Sequence, residues 1–350
     1  RSRCSPSRLP SGYDHPTMIR MRLPVILTLL FLSLLLGSCS DSGDSRIVLK
    51  FPHIVAPGTP KGQGAELLRQ MIAERLGDRV VMEVYPSAQL MNEDDAIEML
   101  AFGEVQMIAP SLSKFDRLTR KYQVFDLPFL FSNLDEVETF QQSPVGQKLL
   151  GELSHKGFLG LAYWHNGMKQ FGGPRPMKRP EDAAGMKFRI MESDVLEAQI
   201  LAMGANPQKM AFSEVYQALQ TGAIDAQENT WSNNYSQKFF EVQPYYTESN
   251  HGYLGYLVVV NPGQWNKLPP DIREELEQII IEVTREVNAN SARLNERDRA
   301  RIIESGRSQI LLPSNDDLAA WRRVMRPVWD EFAGEIGEEV MAATPAGQHD

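Results

Sequence analysis

Cysteine is almost absent from this 350-residue sequence. Its two cysteines, Cys4 and Cys39, both precede the part of the chain whose pattern is typical of a folded domain. We therefore expect the folded part to have no thiol for catalysis, for disulfide bonds or for metal binding.

The short motifs that mark common catalytic and nucleotide-binding sites are also missing. The sequence has no G-x-G-x-x-G after a strand, no P-loop, no H-E-x-x-H, no C-x-x-C and no G-x-S-x-G. Its six histidines are scattered, so no local cluster predicts a metal site or a catalytic base. These absences disfavour an enzyme without excluding one, because residues distant in sequence can meet in space. We predict a protein without cofactor or metal.

A surplus of positive charge is lacking as well. The chain totals −9, and residues 1–38 contribute +4 through five arginines and one aspartate, so the remainder carries −13. Because this part of the chain is net negative, its overall electrostatic field will not attract nucleic acid or acidic lipid. An anionic ligand would have to be bound by a local group of positive side chains.

One apolar run near the start is typical of a secretion signal. LPVILTLLFLSLLL follows Arg20 and Arg22, and about 14 residues are too few to span a bilayer comfortably. The run ends in LGSC, which resembles the lipobox of bacterial lipoproteins, where the cysteine is acylated. We predict an upstream extension and signal peptide over 1–38, lipidation at Cys39 and a polar tether over 39–45. Ordinary cleavage with an incidental cysteine is the alternative.

From Arg46 onward, short apolar strands alternate with helices. The succession IVLKFPHIV, AELLRQMIAERLG, RVVMEVYP, EDDAIEMLAFG and VQMIAP predicts strand, helix, strand, helix and strand. This alternation is typical of α/β proteins, and we predict a largely parallel sheet. The acidic residues Glu93, Asp94 and Asp95 open one helix, where they are expected to complement its dipole.

The stretch from Asp271 to Ser305 predicts one long helix. Its apolar residues recur at spacings of three and four, and about 35 residues at 1.5 Å each give roughly 50 Å. Because this exceeds the diameter of one small domain, the helix would run along two lobes. A second amphipathic helix, interrupted by Pro327, closes the chain. With no repeat or linker, we predict interleaved lobes, namely lobe I over 46–166 and 255–294, and lobe II over 167–254 and 295–345.

An arginine stands inside GMKFRIMES, a stretch that otherwise reads as a half-buried strand. Three explanations compete for Arg189. It is an ordinary exposed strand residue, or it pairs with a carboxylate of the chain, or its partner is a carboxylate that arrives from outside. A buried guanidinium must be paired, and its planar fork suits bidentate recognition of a carboxylate.

Neighbouring segments favour the third explanation. GMKFRIMES, MAFSEVYQALQTGAIDAQENTWSNNYSQKFFEVQ and NHGYLGYLVVVN resemble the extracytoplasmic solute-binding proteins of TRAP transporters, specifically the DctP-type group. The resemblance extends from about Ile47 to Ile336 and is densest between Met210 and Val242. It implies an α/β, two-lobed fold of the periplasmic-binding-protein type, with a hinge, a cleft that closes on an organic acid and a long helix spanning both lobes.

The resemblance also implies ligand-binding positions in the second lobe. Arg189 would form a salt bridge with the ligand carboxylate, and Asn229 of the QEN motif would support the same carboxylate. Phe212 would line the pocket, and Lys169 would reach the ligand. Each has an alternative, since Phe212 could be core, Asn229 a turn residue and Lys169 a surface residue. Trp164 and Asn166 flank a predicted hinge and could serve the hinge or the site.

The first lobe offers further candidates. His53 follows the first strand, and the turn Thr59-Pro60-Lys61-Gly62 opens a helix whose free N–H groups could receive an anion. Polar residues also end a strand in PSLSKF, at the edge where open α/β sheets hold ligands. Glu93 lies near a position that contacts ligand in some relatives, although its charge would repel a second carboxylate. The candidates for the far end of the ligand are His53, Ser111, Ser113, Lys114 and Glu93.

The predicted function is that of a receptor for an organic acid, most simply a C4-dicarboxylate, which it delivers to a TRAP-type membrane permease. The predicted partners are this small carboxylate, the permease subunits and a membrane reached through the lipid on Cys39, without nucleic acid. The predicted location is the periplasm. A sensory lipoprotein that binds organic or sugar acids is the alternative, and an enzyme acting on a hydroxy acid is a third possibility.

Overall fold

Residues 46–347 are described by a computed structural model. The predicted signal peptide, Cys39 and tether lie outside the described residues. Within residues 46–347, none of the helices combines the length and apolar character needed to cross a bilayer.

Nine strands form a two-stranded and a larger sheet within the described part of the chain. In chain order they are β1 (Ile47–Pro52), β2 (Val80–Tyr85), β3 (Met107–Ile108), β4 (Leu159–Gly173), β5 (Lys187–Ile190), β6 (Asn206–Lys209), β7 (Ala226–Thr230), β8 (Tyr245–Val260) and β9 (Gln309–Leu311).

Eleven α-helices accompany them over residues 46–347. They are α1 (Pro60–Leu76), α2 (Glu93–Phe102), α3 (Leu134–Gln142), α4 (Pro144–Leu150), α5 (Asp194–Ala202), α6 (Val215–Thr221), α7 (Trp231–Ser236), α8 (Pro262–Trp265), α9 (Pro270–Ser305), α10 (Asn315–Ile336) and α11 (Glu338–Ala342).

The larger sheet is mixed, with strand order β3-β8-β4-β7-β5-β6 and β9 beside β8. Its centre is antiparallel, since β4 pairs with β8 from Leu159 opposite Val260 to Gly173 opposite Tyr245, and with β7 as well. Parallel pairs lie at its margins, between β5 and β6 or β7. The prediction of a largely parallel sheet is therefore wrong, because alternating strands and helices do not reveal the direction of long strands that cross between lobes.

The strands β4 and β8 are the two long strands of this sheet, with 15 and 16 residues. The single strand β4 runs through both FLGLAYW and MKQFGG. Its register shifts between His165 and Gly167, at the predicted hinge. A glycine is required there because a Cβ on Gly167 would lie 2.7 Å from the Asn295 side chain on α9. The long helix thus contacts the strand backbone directly.

The predicted long helix is confirmed as α9, which spans 36 residues and ends at Gly306 with φ 63°. Its first half packs in one hydrophobic core with β1, β2 and α1. Near its other end, Ile302 is buried against Trp231 and Tyr246. A third core joins β5, α5 and α10. The two-lobed fold with a shared long helix agrees with the prediction, while the exact lobe boundaries stay a prediction.

We predicted that Pro327 would interrupt the last long helix, but α10 continues through this residue. It starts at a capping box formed by Ser314 and Asp317 and continues to Ile336. Proline removes one backbone hydrogen bond from a helix. Here the buried residues Met325 and Val328, on either side of Pro327, hold the helix against the core.

Candidate functional site

A cavity opens between the edge of the larger sheet and the start of α2. It encloses about 610 Å³, counting the solvent at its mouth. We call the side chains from β4, β5 and β7 the sheet wall, namely Lys169, Arg189, Glu228 and Asn229. We call those from α2 and the segment after β3 the helical wall, namely Glu93, Asp94, Ser111 and Lys114. The remaining lining residues are Ile54, Val55, Asn92, Met191, Ala211, Phe212, Ser213, Asn233, Leu254 and Tyr256.

Arg189 is held in the middle of the sheet wall. Its strand β5 lies between β6 and β7, where its backbone pairs with Gln208 and Gln227. The side chain is 4% exposed and lines the cavity. Its Nε and Nη2 atoms donate to the carbonyl oxygen of Met210 at 3.0 and 2.9 Å. This burial excludes the exposed-strand explanation.

The guanidinium of Arg189 is not paired with a carboxylate of the described residues. Within residues 46–347, no Asp or Glu forms an ion pair with it, and the carbonyl of Met210 carries no formal charge. Burial lowers the pKa of Arg189 to about 10, and the more distant charges of Glu228 and Glu93 offset only part of that effect. Because a desolvated cation is costly without a counter-charge, the site is prepared for an anion.

Phe212 lies beside this guanidinium, and Asn229 lines the same cavity. Asn229 is in β7, and its Oδ1 accepts hydrogen bonds from the Thr230 backbone N–H at 3.0 Å and from Asn233 Nδ2 at 2.9 Å. Its amide is thereby oriented with Nδ2 left to donate. The ring of Phe212 lies 5.9 Å from the Arg189 guanidinium and packs in an apolar cluster with Val55.

Lys169 lines the sheet wall but already has a counter-ion. Its Nζ lies 2.5 Å from Glu228 Oε1, and both residues are almost fully buried. Glu228 Oε2 also accepts from Gln199 at 2.9 Å and contacts His251 Nε2 at 2.7 Å. The Lys169 stem passes Gly252, where a Cβ would lie 2.7 Å from it. Burial would raise the pKa of Glu228, but Lys169 and His251 hold it well below its usual range.

A second buried ion pair supports the helical wall. Lys61 of α1 is fully buried, and its Nζ donates to Glu93 Oε1 at 3.2 Å and to the carbonyl of Ala109 at 2.9 Å. The ammonium also lies 3.7 Å from the centre of the Tyr256 ring. Desolvation lowers the pKa of Lys61, and Glu93 opposes that shift. Glu93 therefore neutralises a lysine beneath the cavity surface.

Lys114 and Asp94 form a third pair, at the rim. Lys114 lies in the short turn Leu112–Phe115, and its Nζ contacts both Asp94 carboxylate oxygens at 2.9 and 2.8 Å. Ser111 precedes this turn and donates weakly to Ser113 at 3.4 Å. The start of α2 thus binds two lysines through Glu93 and Asp94, beyond the dipole role that we expected of these residues.

Four predicted residues do not reach the cavity surface. Ser113 donates to the buried Asp126 at 2.7 Å. Trp164 is in the core with its indole N–H bonded to Thr284 at 2.9 Å. Asn166 lies behind the cavity, where its Nδ2 donates to the Tyr256 hydroxyl at 2.6 Å. His53 is buried beside Lys61, and burial lowers the pKa of His53 to about 3.

The structure brings the other seven predicted residues together at one cavity, namely Arg189, Asn229, Lys169, Phe212, Ser111, Lys114 and Glu93. Their contacts with a ligand stay a prediction. Sequence reasoning did not propose Asp94, Glu228, Asn233 or Tyr256 for the site, and it considered Lys61 only within the turn that opens α1, which does not line this cavity. For Glu228, its place next to Asn229 in a strand was a usable signal, because a buried strand carboxylate needs a cation.

Comparison with known proteins gives consistent matches over most of the chain. The model of the DctP family, described as bacterial extracellular solute-binding protein, family 7, matches residues 51–335. The C4-dicarboxylate-binding periplasmic protein DctP of Shewanella loihica is 46% identical over 321 residues, which cover 92% of this chain and 96% of that protein.

Two crystal structures of TRAP periplasmic solute-binding proteins are also similar. The one from Shewanella oneidensis, with bound succinate, is 47% identical with a TM-score of 0.84, covering 85% of this chain and 98% of that one. The one from Pseudomonas aeruginosa, with bound L-malate, is 44% identical with a TM-score of 0.80, covering 81% of this chain and 99% of that one.

Proposed function

The chain belongs to family 7 of the bacterial extracellular solute-binding proteins, the DctP family, and from this premise we propose that it is a receptor for a C4-dicarboxylate. Relatives of this family are binding proteins of transport systems and not enzymes. Succinate and L-malate, the ligands in the two similar crystal structures, are the first candidates.

The buried, unpaired guanidinium of Arg189 is the observation that carries this proposal. A ligand carboxylate placed against its free donors would supply the missing counter-charge. Asn229 Nδ2 would donate to the same carboxylate, and Phe212 would exclude water from it. Lys169 would attract the same carboxylate through its positive charge and donate one hydrogen bond to it, while it stays paired with Glu228.

Binding would work by a shift between open and closed forms of the two lobes. Capture begins at Arg189, and closure brings the helical wall onto the far end of the ligand. Closure expels water, which strengthens each charge-assisted hydrogen bond. The ligand stabilises the closed form only by its greater affinity for that form, and a membrane permease would recognise the result.

Isothermal titration calorimetry of the purified protein with succinate, L-malate and fumarate tests the proposal. Arg189→Ala should weaken binding by about 2–5 kcal/mol, because truncation leaves a desolvated carboxylate without its partner. Arg175→Ala is a matched control, since Arg175 also donates two hydrogen bonds to backbone carbonyl oxygens but lies on the surface. Unchanged binding in Arg189→Ala would contradict the assigned role. A wild-type protein that binds none of these acids would contradict the receptor proposal.

We also propose where the protein is located, namely in the periplasm and anchored to a membrane by a lipid. The relative from Shewanella loihica is named a periplasmic protein, and TRAP binding proteins work with membrane permeases. The LGSC sequence supports a lipid anchor at Cys39, followed by the tether over 39–45. Mass spectrometry of the amino terminus of the mature protein tests this point, since acylation adds a lipid mass that Cys39→Ser would abolish.

A further inference from the structure

We propose that Lys114 binds the second carboxylate of the ligand, and that Asp94 competes with the ligand for this lysine. The inference rests on the proposed function, because it assumes that the first carboxylate binds Arg189. It assigns to Asp94 the role of an internal competitor that sets affinity and the preference for diacids.

The argument starts from the pairing of charges around the cavity. Four cations lie at or just beneath its surface, and three of them have a carboxylate partner. These pairs are Lys61 with Glu93, Lys169 with Glu228, and Lys114 with Asp94. Arg189 alone supplies an uncompensated charge among these described residues, which suffices for one carboxylate. The second carboxylate of a dicarboxylate binds most strongly to a second cation, and the three pairs hold the other cations at this cavity.

Burial decides which pair can open. The side chains of Lys61 and Glu93 are 0% and 8% exposed, and those of Lys169 and Glu228 are 1% and 2% exposed. Separating a buried pair leaves an uncompensated charge, at about 3–5 kcal/mol. The Lys114 side chain is 8% exposed but that of Asp94 is 50% exposed. A pair with an exposed member is worth about 0–1 kcal/mol, so only this pair opens readily.

The local structure suits such an exchange. Asp94 lies in the first turn of α2, behind the N-cap Asn92. When a ligand carboxylate replaces it on Lys114, the Asp94 side chain can turn to solvent and remain near the positive end of the helix dipole. Lys114 carries its charge on a flexible four-carbon stem, so it can follow the ligand. Glu93 cannot make the same move, because Lys61 would lose its partner inside the protein.

The test compares succinate with monomethyl succinate, which has a similar shape but only one charge. Calorimetry is done on the wild type, Lys114→Met and Asp94→Asn. Lys114→Met should weaken succinate binding by about 10- to 100-fold, the effect of one charge-assisted hydrogen bond. It should leave monomethyl succinate within about twofold, which removes the preference for the diacid. Asp94→Asn should tighten succinate binding by about two- to fivefold, since the lost competitor is worth at most about 1 kcal/mol.

Two controls and a clear counter-result complete the test. Lys121→Met removes a lysine from a comparable, partly exposed pair with Glu152 outside the cavity, and should change neither affinity. Lys114→Gln keeps a shorter side chain with a hydrogen-bond donor but without the charge, and the melting temperature of each variant reports intact folding. Equal loss of both ligands in Lys114→Met, or weaker or unchanged succinate binding in Asp94→Asn, would overturn the inference. In those cases wild-type binding of succinate would still support the receptor. Absence of succinate binding in the wild type would overturn both.

Discussion

The sheet wall and the Asp94–Lys114 pair of the helical wall differ in how firmly they hold charge. On the sheet wall, Glu228 is bonded to Lys169, His251 and Gln199 inside the protein. On the helical wall, Asp94 is half exposed and bonded to Lys114 alone in the described residues. The first arrangement fixes geometry before a ligand arrives, and the second can adjust to it.

This difference suits the two tasks of a closing receptor. The first contact needs a rigid partner, because each side chain that must be ordered on binding reduces affinity. Arg189 is ordered by two hydrogen bonds to Met210. The second contact forms as the lobes close, and a mobile lysine tolerates ligands of different length. We therefore expect stability to depend on the buried pairs, Lys169 with Glu228 and Lys61 with Glu93, and ligand preference to depend on Lys114 and Asp94.

The largest effect is expected for Glu228→Gln. The change leaves Lys169 buried without a counter-charge, so the free energy of unfolding should fall by about 3–5 kcal/mol at pH 7. Urea denaturation measures this quantity. Glu248→Gln, which removes one of the two partly exposed partners of Arg299, should cost less than about 1 kcal/mol. Equal losses in the two variants would remove the distinction that we draw for the sheet wall.

The loss of unfolding free energy in Glu228→Gln should depend on pH in a defined direction. The pKa of Glu228 is held below its usual range in the folded protein. A carboxyl whose pKa is lowered by folding contributes stability above its unfolded pKa of about 4.3, and loses it as the pH falls towards the folded value. The difference between wild type and Glu228→Gln should therefore be full at pH 7 and shrink in strong acid. A difference that grew below pH 4 would contradict this assignment.

A smaller effect of opposite sign is expected for Arg189→Met without ligand. The change removes a desolvated cation that no carboxylate of residues 46–347 neutralises, so the free energy of unfolding should rise by about 1–2 kcal/mol. Arg175→Met on the surface should leave it within about 0.5 kcal/mol. A loss of stability in Arg189→Met would mean that its hydrogen bonds to Met210 are worth more than its desolvation costs.

Local patterns predicted some of these features from the sequence. The spacing of apolar residues predicted α9 correctly, because a helix face is a property of neighbouring residues. For Arg189, its place in a strand left exposure and burial open, and only the resemblance to a family favoured a ligand-binding position. The pairs of the helical wall did not follow, since Lys61 and Glu93 are 32 residues apart and Lys114 and Asp94 are 20 apart. Such pairing depends on how α1, α2 and the turn after β3 pack together.

The sequence left open whether Trp164 serves the hinge or the site, for a related reason. Trp164 sits in the same strand as Lys169, which lines the cavity, but Trp164 lies in the core against α9 through its bond to Thr284. Alternation along a strand tells which residues share a face, and the register shift after His165 changes that alternation. Only the three-dimensional path of β4 shows on which side each residue lies.

The smallest effect is expected for the free energy of unfolding of Asp94→Asn. The lost pair with Lys114 has one half-exposed member, so the change should stay below about 1 kcal/mol in urea denaturation. Glu93→Gln, one residue away in the same helix, should cost about 3–5 kcal/mol, because Lys61 is fully buried and would lose its counter-charge. The two neighbours thus compare a fixed and an adjustable pair within one wall. If Asp94→Asn destabilised the protein as much as Glu93→Gln, the pair with Lys114 would be a structural contact, and the helical wall would hold its charges as firmly as the sheet wall does.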